Sequence, residues 1–138
     1  MVKITRIGVS MEPDLLADLD RLVKSRGYPS RSEAIRDLVR ERLNADAIQN
    51  PQETAIGSIA IMYSHHDRGL SEKITEFQHH HHDLIISTTH IHLDAERCLE
   101  LLVCRGLAGD IRSLSDGIGA IKGVRHGGLS LASIGKRK

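Results

Sequence analysis

Residues 3–11 read KITRIGVSM, and this segment determines how the first third of the chain can fold. Its apolar and polar residues alternate, as expected for a short strand with one buried face. The apolar face would carry Ile7, Val9 and Met11, and the opposite face Arg6, Gly8 and Ser10. The next two segments have helical periodicity, so no partner strand follows in the sequence. The strand therefore requires a partner from elsewhere.

Two amphipathic helices are predicted after this strand. The first covers Pro13 to Arg26, because proline suits the first helical position and Gly27 suits the end. The second starts with a capping-box pattern, SRSE, at residues 30–33. Apolar residues recur at helical spacing in both helices: Leu15, Leu16, Leu19, Leu22 and Val23, then Ile35, Leu38, Val39 and Leu43. One strand and two short helices cannot bury these faces alone. Two copies can, with paired strands over a four-helix core.

A two-stranded ribbon of this kind fits the major groove of DNA. Arg6, Gly8 and Ser10 would face the bases. Arg6 can donate twice to guanine, Ser10 can donate or accept, and Gly8 permits close approach. Backbone N–H groups at residues 30–32 could bind a phosphate, with Arg31 adding charge. A plain dimerisation module with a solvated Arg6 explains the same pattern, so the pattern alone leaves DNA binding open.

Composition limits the class of protein. The chain has 138 residues, 40% hydrophobic and 2% aromatic, with no Trp, so an aliphatic core helped by oligomerisation is expected. The net charge is +1: residues 1–45 have nine basic and seven acidic side chains, and the rest have ten and eleven. This balance neither requires nor excludes DNA. Two cysteines cannot form a disulfide framework. With no signal peptide or membrane-length apolar run, a cytoplasmic protein is expected.

The remainder of the chain alternates strands and helices. The pattern predicts strands at residues 55–64, 83–93, 98–104 and 123–134, and helices at 67–78 and 109–121. A polar linker containing Pro51 is expected at residues 48–53, between a domain at 1–47 and a second at 54–138. The order βαββαβ is the ferredoxin-like split pattern. The fold class is therefore predicted to be α+β.

Histidine is unusually frequent. Eight of the nine histidines lie between residues 65 and 92. His90 and His92 occupy alternate positions of a strand, so their rings face the same way, about 7 Å apart at Cα. Cys98 follows after a five-residue connection, and a hairpin would place its sulfur beside His92. A thiolate is a soft ligand that favours late transition metals over Mg²⁺ or Ca²⁺.

The fourth ligand is expected from the histidine run at residues 79–82. From Asp83 to His90 the strand rises about 23 Å, which keeps His79 of the same chain away from His90. If the strand pairs antiparallel with its twin across a two-fold axis, the partner's His79 arrives beside His90. The metal would then bridge two subunits. For His80, His81 and His82, the alternative is a solvated patch that binds metal adventitiously.

Other candidate residues in this half receive weaker assignments. Glu100 shares a strand face with Cys98, and it either supports a ligand or is simply solvated. Cys104 is expected to be a small buried hydrophobe. The histidines expected to be surface residues are His65, His66 and His126.

The stretches RIGVSM, residues 6–11, and RGYPSRSEAIRDLVR, residues 26–40, resemble the NikR family of nickel-responsive ribbon-helix-helix regulators. The stretch QHHHHDLIISTTHIHLDAERCLE, residues 78–100, is similar to the nickel site of the same family. The resemblance implies one square-planar Ni²⁺ per chain. Its implied ligands are His90, His92 and Cys98, with His79 from a second chain, and the implied operator-reading residues are Arg6, Gly8 and Ser10.

The same resemblance implies an ACT-like C-terminal domain, a homotetramer built as a dimer of dimers, and a second cation near Glu33 and Asp37. The expected function is a nickel-responsive DNA-binding regulator that represses nickel-uptake genes. Metal would tie His79 to the partner's hairpin and order the preceding helix, at whose start Arg68 could touch a phosphate. An enzyme is not expected, because no HExxH-like acid–base spacing is present.

Three alternatives remain on the residues alone. The same ligand types can hold Zn²⁺ in a tetrahedron or bind Cu²⁺ tightly. The ACT-like domain could answer to an amino acid or another small molecule, with incidental histidines. The metal could also be purely structural.

Overall fold

The chain is described here by a computed structural model that covers residues 2–135. The helices are α1 (Pro13–Arg26), α2 (Arg31–Ala47), α3 (Leu70–His80) and α4 (Ala108–Gly119). The strands are β1 (Thr54–Ser64), β2 (Ile85–His92), β3 (Arg97–Leu107) and β4 (Arg125–Ser133). The chain divides into two compact units, which we call the N-terminal unit, ending at Arg42, and the C-terminal unit, beginning at Leu43. None of the helices within residues 2–135 is long and apolar enough to cross a membrane.

Helices α1 and α2 form where the residues at their ends predict. Helix α1 has the predicted bounds and ends at Gly27, whose φ of 71° is left-handed and favours glycine. The Gly27 N–H donates to the Lys24 carbonyl, which satisfies one of the free groups at the helix end. At the start of α2, the Glu33 N–H donates to Ser30 Oγ over 3.2 Å, which is the predicted cap.

The predicted strand at residues 3–11 is not a strand in this structure. Residues 2–10 are exposed, and no residue from 2 to 12 is assigned to a helix or strand. The physical reason is that a strand is defined by hydrogen bonds to a neighbour, and the sequence provides no second strand in this unit. Pairing with another chain therefore remains a prediction.

The C-terminal unit confirms the βαββαβ order and the α+β class. Its four strands form one antiparallel sheet in the order β2-β3-β1-β4. Ile59 of the central strand β1 lies opposite Leu102 of β3 and Leu129 of β4. Alternate residues of β1 from Ala55 to Tyr63 are buried, as expected for a strand with one face in the core.

Helices α3 and α4 cover this buried face. The core joins residues of the sheet to apolar residues of both helices: Leu70, Ile74, Ala108, Ile111, Leu114 and Ile118. The opposite face of the sheet, which we call the open face, is also mostly apolar, and its side chains are half-buried or exposed. It includes Ile56, Ala60, Met62, Ile91, Leu99, Leu101 and Val103.

Two predicted boundaries in this unit were wrong by three residues. Helix α3 begins at Leu70, not at Asp67, because Gly69 adopts φ 74° and breaks the helical backbone there. Arg68 therefore precedes the helix, while His79 and His80 form part of its last turn. Strand β3 runs on to Leu107, beyond the predicted end at Cys104, because it pairs with β1 along its whole length.

Candidate metal centre and nucleic-acid interface

The β2–β3 hairpin brings the predicted ligands of one chain to the same sheet face. Its register places His92 opposite Cys98 and His90 opposite Glu100. The Cys98 Sγ lies 3.8 Å from His92 Nδ1, and the His90 and His92 ring centroids are 5.1 Å apart. The hairpin thus places two imidazoles and a thiol on one face, with His92 beside both His90 and Cys98.

Glu100 fixes the orientation of His90. Its Oε1 lies 3.1 Å from His90 Nδ1 and accepts a hydrogen bond from the Tyr63 hydroxyl at 3.0 Å. A carboxylate only accepts, so the ring proton belongs on Nδ1, and His90 Nε2 keeps its lone pair for a metal. Gln78 Nε2 donates to the other carboxylate oxygen over 2.8 Å. Glu100 is therefore a supporting residue rather than a freely solvated one.

Tyr63 is a hydrogen-bond donor in this network. Burial, followed by the nearby Glu100 carboxylate, raises the pKa of its phenol well above the usual range. The hydroxyl therefore keeps its proton at every pH at which the protein would function. This arrangement leaves Glu100 as the group that accepts, with Tyr63, His90 and Gln78 around it.

His65 was expected to be a surface residue, and the structure places it in the cluster instead. Its Nδ1 lies 2.9 Å from Cys98 Sγ, and its ring centroid is 5.7 Å from that of His92. The backbone causes this: Tyr63 of β1 pairs with Cys98, and the His65 N–H donates to the Glu96 carbonyl over 3.1 Å. The predicted split pattern, which puts the end of β1 beside the start of β3, was the signal that could have revealed it.

Within residues 2–135, His65, His92 and Cys98 are the one group of three or more metal-type ligands whose donor atoms lie close together, all within 4.8 Å of one another. His79 lies in the last turn of α3 and its side chain is exposed. The histidines that follow it make local contacts. His81 Nδ1–H donates to the Phe77 carbonyl over 2.8 Å, and His82 Nδ1–H donates to the His79 carbonyl over 3.0 Å.

The remaining predicted roles in this unit are simple to place. Cys104 is buried, and burial raises the pKa of its thiol to about 11, so it remains a protonated core residue. His66 lies on the surface, where its Nε2–H donates to the Ala95 carbonyl. His126 has partners on both ring nitrogens: Nδ1 accepts from the Gly128 N–H, and Nε2 is 2.6 Å from the buried Ser115 hydroxyl.

The predicted DNA-contacting residues lie on an accessible segment. Arg6, Gly8 and Ser10 are all exposed, and a Cβ placed on Gly8 would meet no atom within 4 Å. The same segment borders a cavity of about 650 Å³ in the N-terminal unit. Apolar side chains dominate its lining: Val2, Ile4, Ile7, Val9, Met11, Leu16, Leu19 and Ile35. An apolar surface therefore lies beside the candidate base-reading residues.

Charged residues near the start of α2 are paired. Arg31 makes two hydrogen bonds to the Asp20 carboxylate, at 2.7 and 2.9 Å, so its charge is already compensated. Glu33 accepts from Arg36. Asp37 accepts from the Tyr28 hydroxyl at 3.0 Å and from Arg40 at 3.3 Å. The two carboxylates expected near a second cation thus have protein partners in the chain.

Comparison with known proteins agrees with both halves of this description. The family model for the NikR C-terminal nickel binding domain matches residues 56–132, and that for ribbon-helix-helix proteins of the copG family matches residues 5–46. A protein of Dictyoglomus turgidum is 46% identical over 97% of this chain and 99% of its own length. Relatives from Trichlorobacter lovleyi (45%, covering 96% of each chain) and Geobacter sp. strain M21 (46%, covering 99% and 98%) are similar.

All three relatives carry the name "Putative nickel-responsive regulator". The two matched regions follow the same order as the two units of the structure: the ribbon-helix-helix match comes first and the nickel-binding match second. Because one family model covers more than half of the chain and the relatives cover nearly all of it, the chain belongs to the NikR family of nickel-responsive ribbon-helix-helix regulators.

Proposed function

We propose that this chain is a transcription regulator that binds operator DNA when it holds Ni²⁺ at His90, His92, Cys98 and the partner's His79. One observation carries the metal assignment. The hairpin register places His90, His92 and Cys98 on one face, while Glu100 accepts a hydrogen bond from the Nδ1–H of His90. A carboxylate behind a histidine is the usual support for a metal ligand, since it fixes the ring and makes the other nitrogen a better donor.

The donor set fits the ion. Three imidazoles and one thiolate suit a late transition metal, and a planar array of such nitrogen and sulfur donors is a geometry that Ni²⁺ or Cu²⁺ adopts. When bound, the metal supplies a crosslink between two chains, with no reaction at the site. The site supports one ion per chain, because each chain contributes one hairpin and one His79. The family assignment favours a regulator over an enzyme.

The end of α3 is held from two directions in this proposal. Gln78 is bonded to Glu100 of its own chain, over 2.8 Å. The next residue, His79, is exposed and would bind the metal held by the partner's hairpin. Metal binding therefore orders the last turn of α3 in both chains at once. The ion binds more tightly to the arrangement of the assembly that permits this crosslink. It can shift DNA binding only by the difference between its affinities for the arrangements that do and do not bind DNA.

The DNA-binding part requires a second chain. The apolar cavity beside residues 2–11 is where the partner's segment would pack, forming the ribbon. Arg6 and Ser10 would then point at base edges, and Gly8 would allow the backbone to approach. Arg31 contributes less than its charge suggests, because Asp20 compensates it.

The assembly that satisfies both halves is a homotetramer, as a dimer of dimers. The N-terminal unit pairs through the ribbon, and the C-terminal unit has its own unpaired surface, the open face of the sheet. Two different self-complementary interfaces on one chain close into a tetramer. In the cytoplasm, the consequence would be repression of nickel uptake when nickel is abundant.

A second cation at Glu33 and Asp37 would have to displace their present partners, Arg36 and Tyr28.

The proposal is tested by titrating chelator-stripped full-length protein with Ni²⁺ while recording the thiolate-to-nickel absorbance and operator binding. We expect one equivalent per chain, and operator binding that appears with the metal. Cys98→Ala should lose both signals and keep its fold, whereas Cys104→Ala is the matched control because its buried thiol lies outside the cluster. His79→Ala should weaken the band. Full metal-dependent operator binding by Cys98→Ala would contradict the proposal.

A further inference from the structure

We infer that Phe77, packed against Gly117 of α4, is a positioning residue that orients His79 towards the partner chain before any metal is bound. The inference rests on the proposed function, because that function makes His79 a ligand to the partner's metal. It adds a contact within one chain that the proposed function does not use. Nickel affinity would then depend on how α3 packs against α4, as well as on the ligands themselves.

The contact between α3 and α4 at this point requires a glycine. A Cβ placed on Gly117 would lie 2.8 Å from Phe77 Cζ and 3.1 Å from Phe77 Cε2, closer than carbon atoms pack. Phe77 is half-buried and packs against the core of the C-terminal unit. Gly117 lies inside α4, where alanine would favour the helix more than glycine does. The missing side chain at residue 117 thus leaves the space that the aromatic ring occupies.

Two further contacts hold the histidine run at residues 79–82. The Phe77 ring stacks on the His81 ring, with centroids 4.5 Å apart and an interplanar angle of 29°. After the run, Leu84 packs against Gly106 of β3, where an added Cβ would lie 2.6 Å from Leu84 Cδ2. The run is therefore fixed at both ends by contacts within the chain, on α4 at one end and on β3 at the other.

Helical geometry turns the Phe77 contact into an orientation for His79. Successive residues of an α-helix are rotated by about 100°, so residues 77 and 79 lie about 200° apart and point to nearly opposite sides. With Phe77 against α4, His79 faces outward, and its side chain is exposed. A ligand that already points outward loses less freedom when it binds the partner's metal. The contact should therefore raise the nickel affinity of the partner's site.

The test combines hydrogen exchange of the metal-free full-length chain with a Ni²⁺ titration against a competing chelator. Gly117→Ala should displace the Phe77 ring, so that the amides of residues 75–80 exchange faster without metal. Nickel affinity should fall by roughly 10-fold, the lower end of the cost of losing a group that supports a metal ligand. Gly119→Ala is the matched control, since an added Cβ there would lie 2.8 Å from His126 Cδ2 and disturb β4 instead of α3. It should leave both measurements unchanged.

Two combined variants distinguish positioning of His79 from a general loss of stability. Gly117→Ala should not weaken Ni²⁺ binding further when His79→Ala is already present, because the contact acts through His79. Phe77→Leu combined with Gly117→Ala should recover most of the affinity, because the smaller side chain leaves room for the added methyl group. Equal losses of affinity from Gly117→Ala with and without His79 would overturn the inference. Unchanged exchange at residues 75–80 would overturn it as well.

If Gly117→Ala does not fold, Phe77→Ala decides, because it removes the ring without creating a clash. Faster exchange of residues 75–80 in the metal-free chain together with weaker nickel binding supports the inference, and a wild-type value for either measurement overturns it. Failure of the proposed function is distinguishable, since it would appear as the absence of a nickel band in the wild type.

Discussion

The N-terminal and C-terminal units treat their apolar residues in opposite ways. The C-terminal unit buries a continuous core between one sheet face and two helices, with Ile59, Leu102 and Ile111 wholly inaccessible. Among residues 2–42 of the N-terminal unit, only Leu19 and Ala34 are buried, while Ile7 is 74% and Val9 59% exposed. One unit has a core of its own within a single chain. The other has apolar residues at the spacing of a buried face, but most of them are not covered by other residues of the chain.

This difference indicates how the two functions are distributed. Exposed apolar residues at strand spacing are the surface that the proposed pairing with a second copy would cover. The C-terminal unit can place three metal-type ligands without help, because its register is set by backbone pairing within the chain. In the proposed function, one chain therefore provides three of the four nickel ligands, whereas the DNA-binding ribbon depends wholly on assembly. The following substitutions separate these requirements.

The largest effect is expected from Val9→Asp. This change would bury an unpaired carboxylate in the ribbon of the proposed dimer, and such burial is strongly destabilising. We expect operator binding in a gel-shift titration to be lost at concentrations that saturate the wild type, while the nickel band of the C-terminal unit is retained. Val9→Ile is the matched control, since it keeps an apolar side chain at the position. Operator binding by Val9→Asp at wild-type strength would mean that residues 3–11 do not form the ribbon.

A smaller effect, on assembly alone, is expected from Leu101→Glu. Leu101 lies on the open face of the sheet, beside Ala60 of the neighbouring strand. If this face joins two dimers, a charge there should reduce the mass measured by analytical ultracentrifugation from tetramer to dimer. Ser113→Glu adds the same charge on an exposed position of α4 and should leave the tetramer intact. A tetramer that persists in Leu101→Glu would move the second interface away from the open face.

Local sequence signals predicted much of this structure. Proline and glycine gave the bounds of α1, and strand alternation with a short connection placed Cys98 beside His92. The signals failed where the position of a residue depends on segments that are distant in the sequence. His65 lies 33 residues before Cys98, and only the pairing of β1 with β3 brings them together. Residues 3–11 have the pattern of a strand, yet the hydrogen bonds that would make them one must come from another chain.

The turn that sets the hairpin register provides the mildest test. Asp94 Oδ1 accepts from the N–H groups of Glu96 and Arg97, and its Oδ2 pairs with the Arg97 guanidinium. These bonds, first among them the one from the Arg97 backbone, lower the pKa of Asp94 from 3.8 to about 2. Since the folded pKa is the lower one, the carboxylate's contribution to stability is present above pH 3.8 and is lost as the pH falls towards 2.

Asp94→Asn keeps an oxygen that can accept from both backbone N–H groups but removes the charge. Because the turn is exposed, we expect only a small decrease in melting temperature at pH 7. The decrease should shrink between pH 4 and pH 2, where the wild type itself becomes protonated. Thermal unfolding followed by circular dichroism across this range measures both effects. An equal difference at pH 2 and pH 7 would show that the side chain acts through its shape, so that the hairpin register, and with it the pairing of His92 and Cys98, does not depend on this charge.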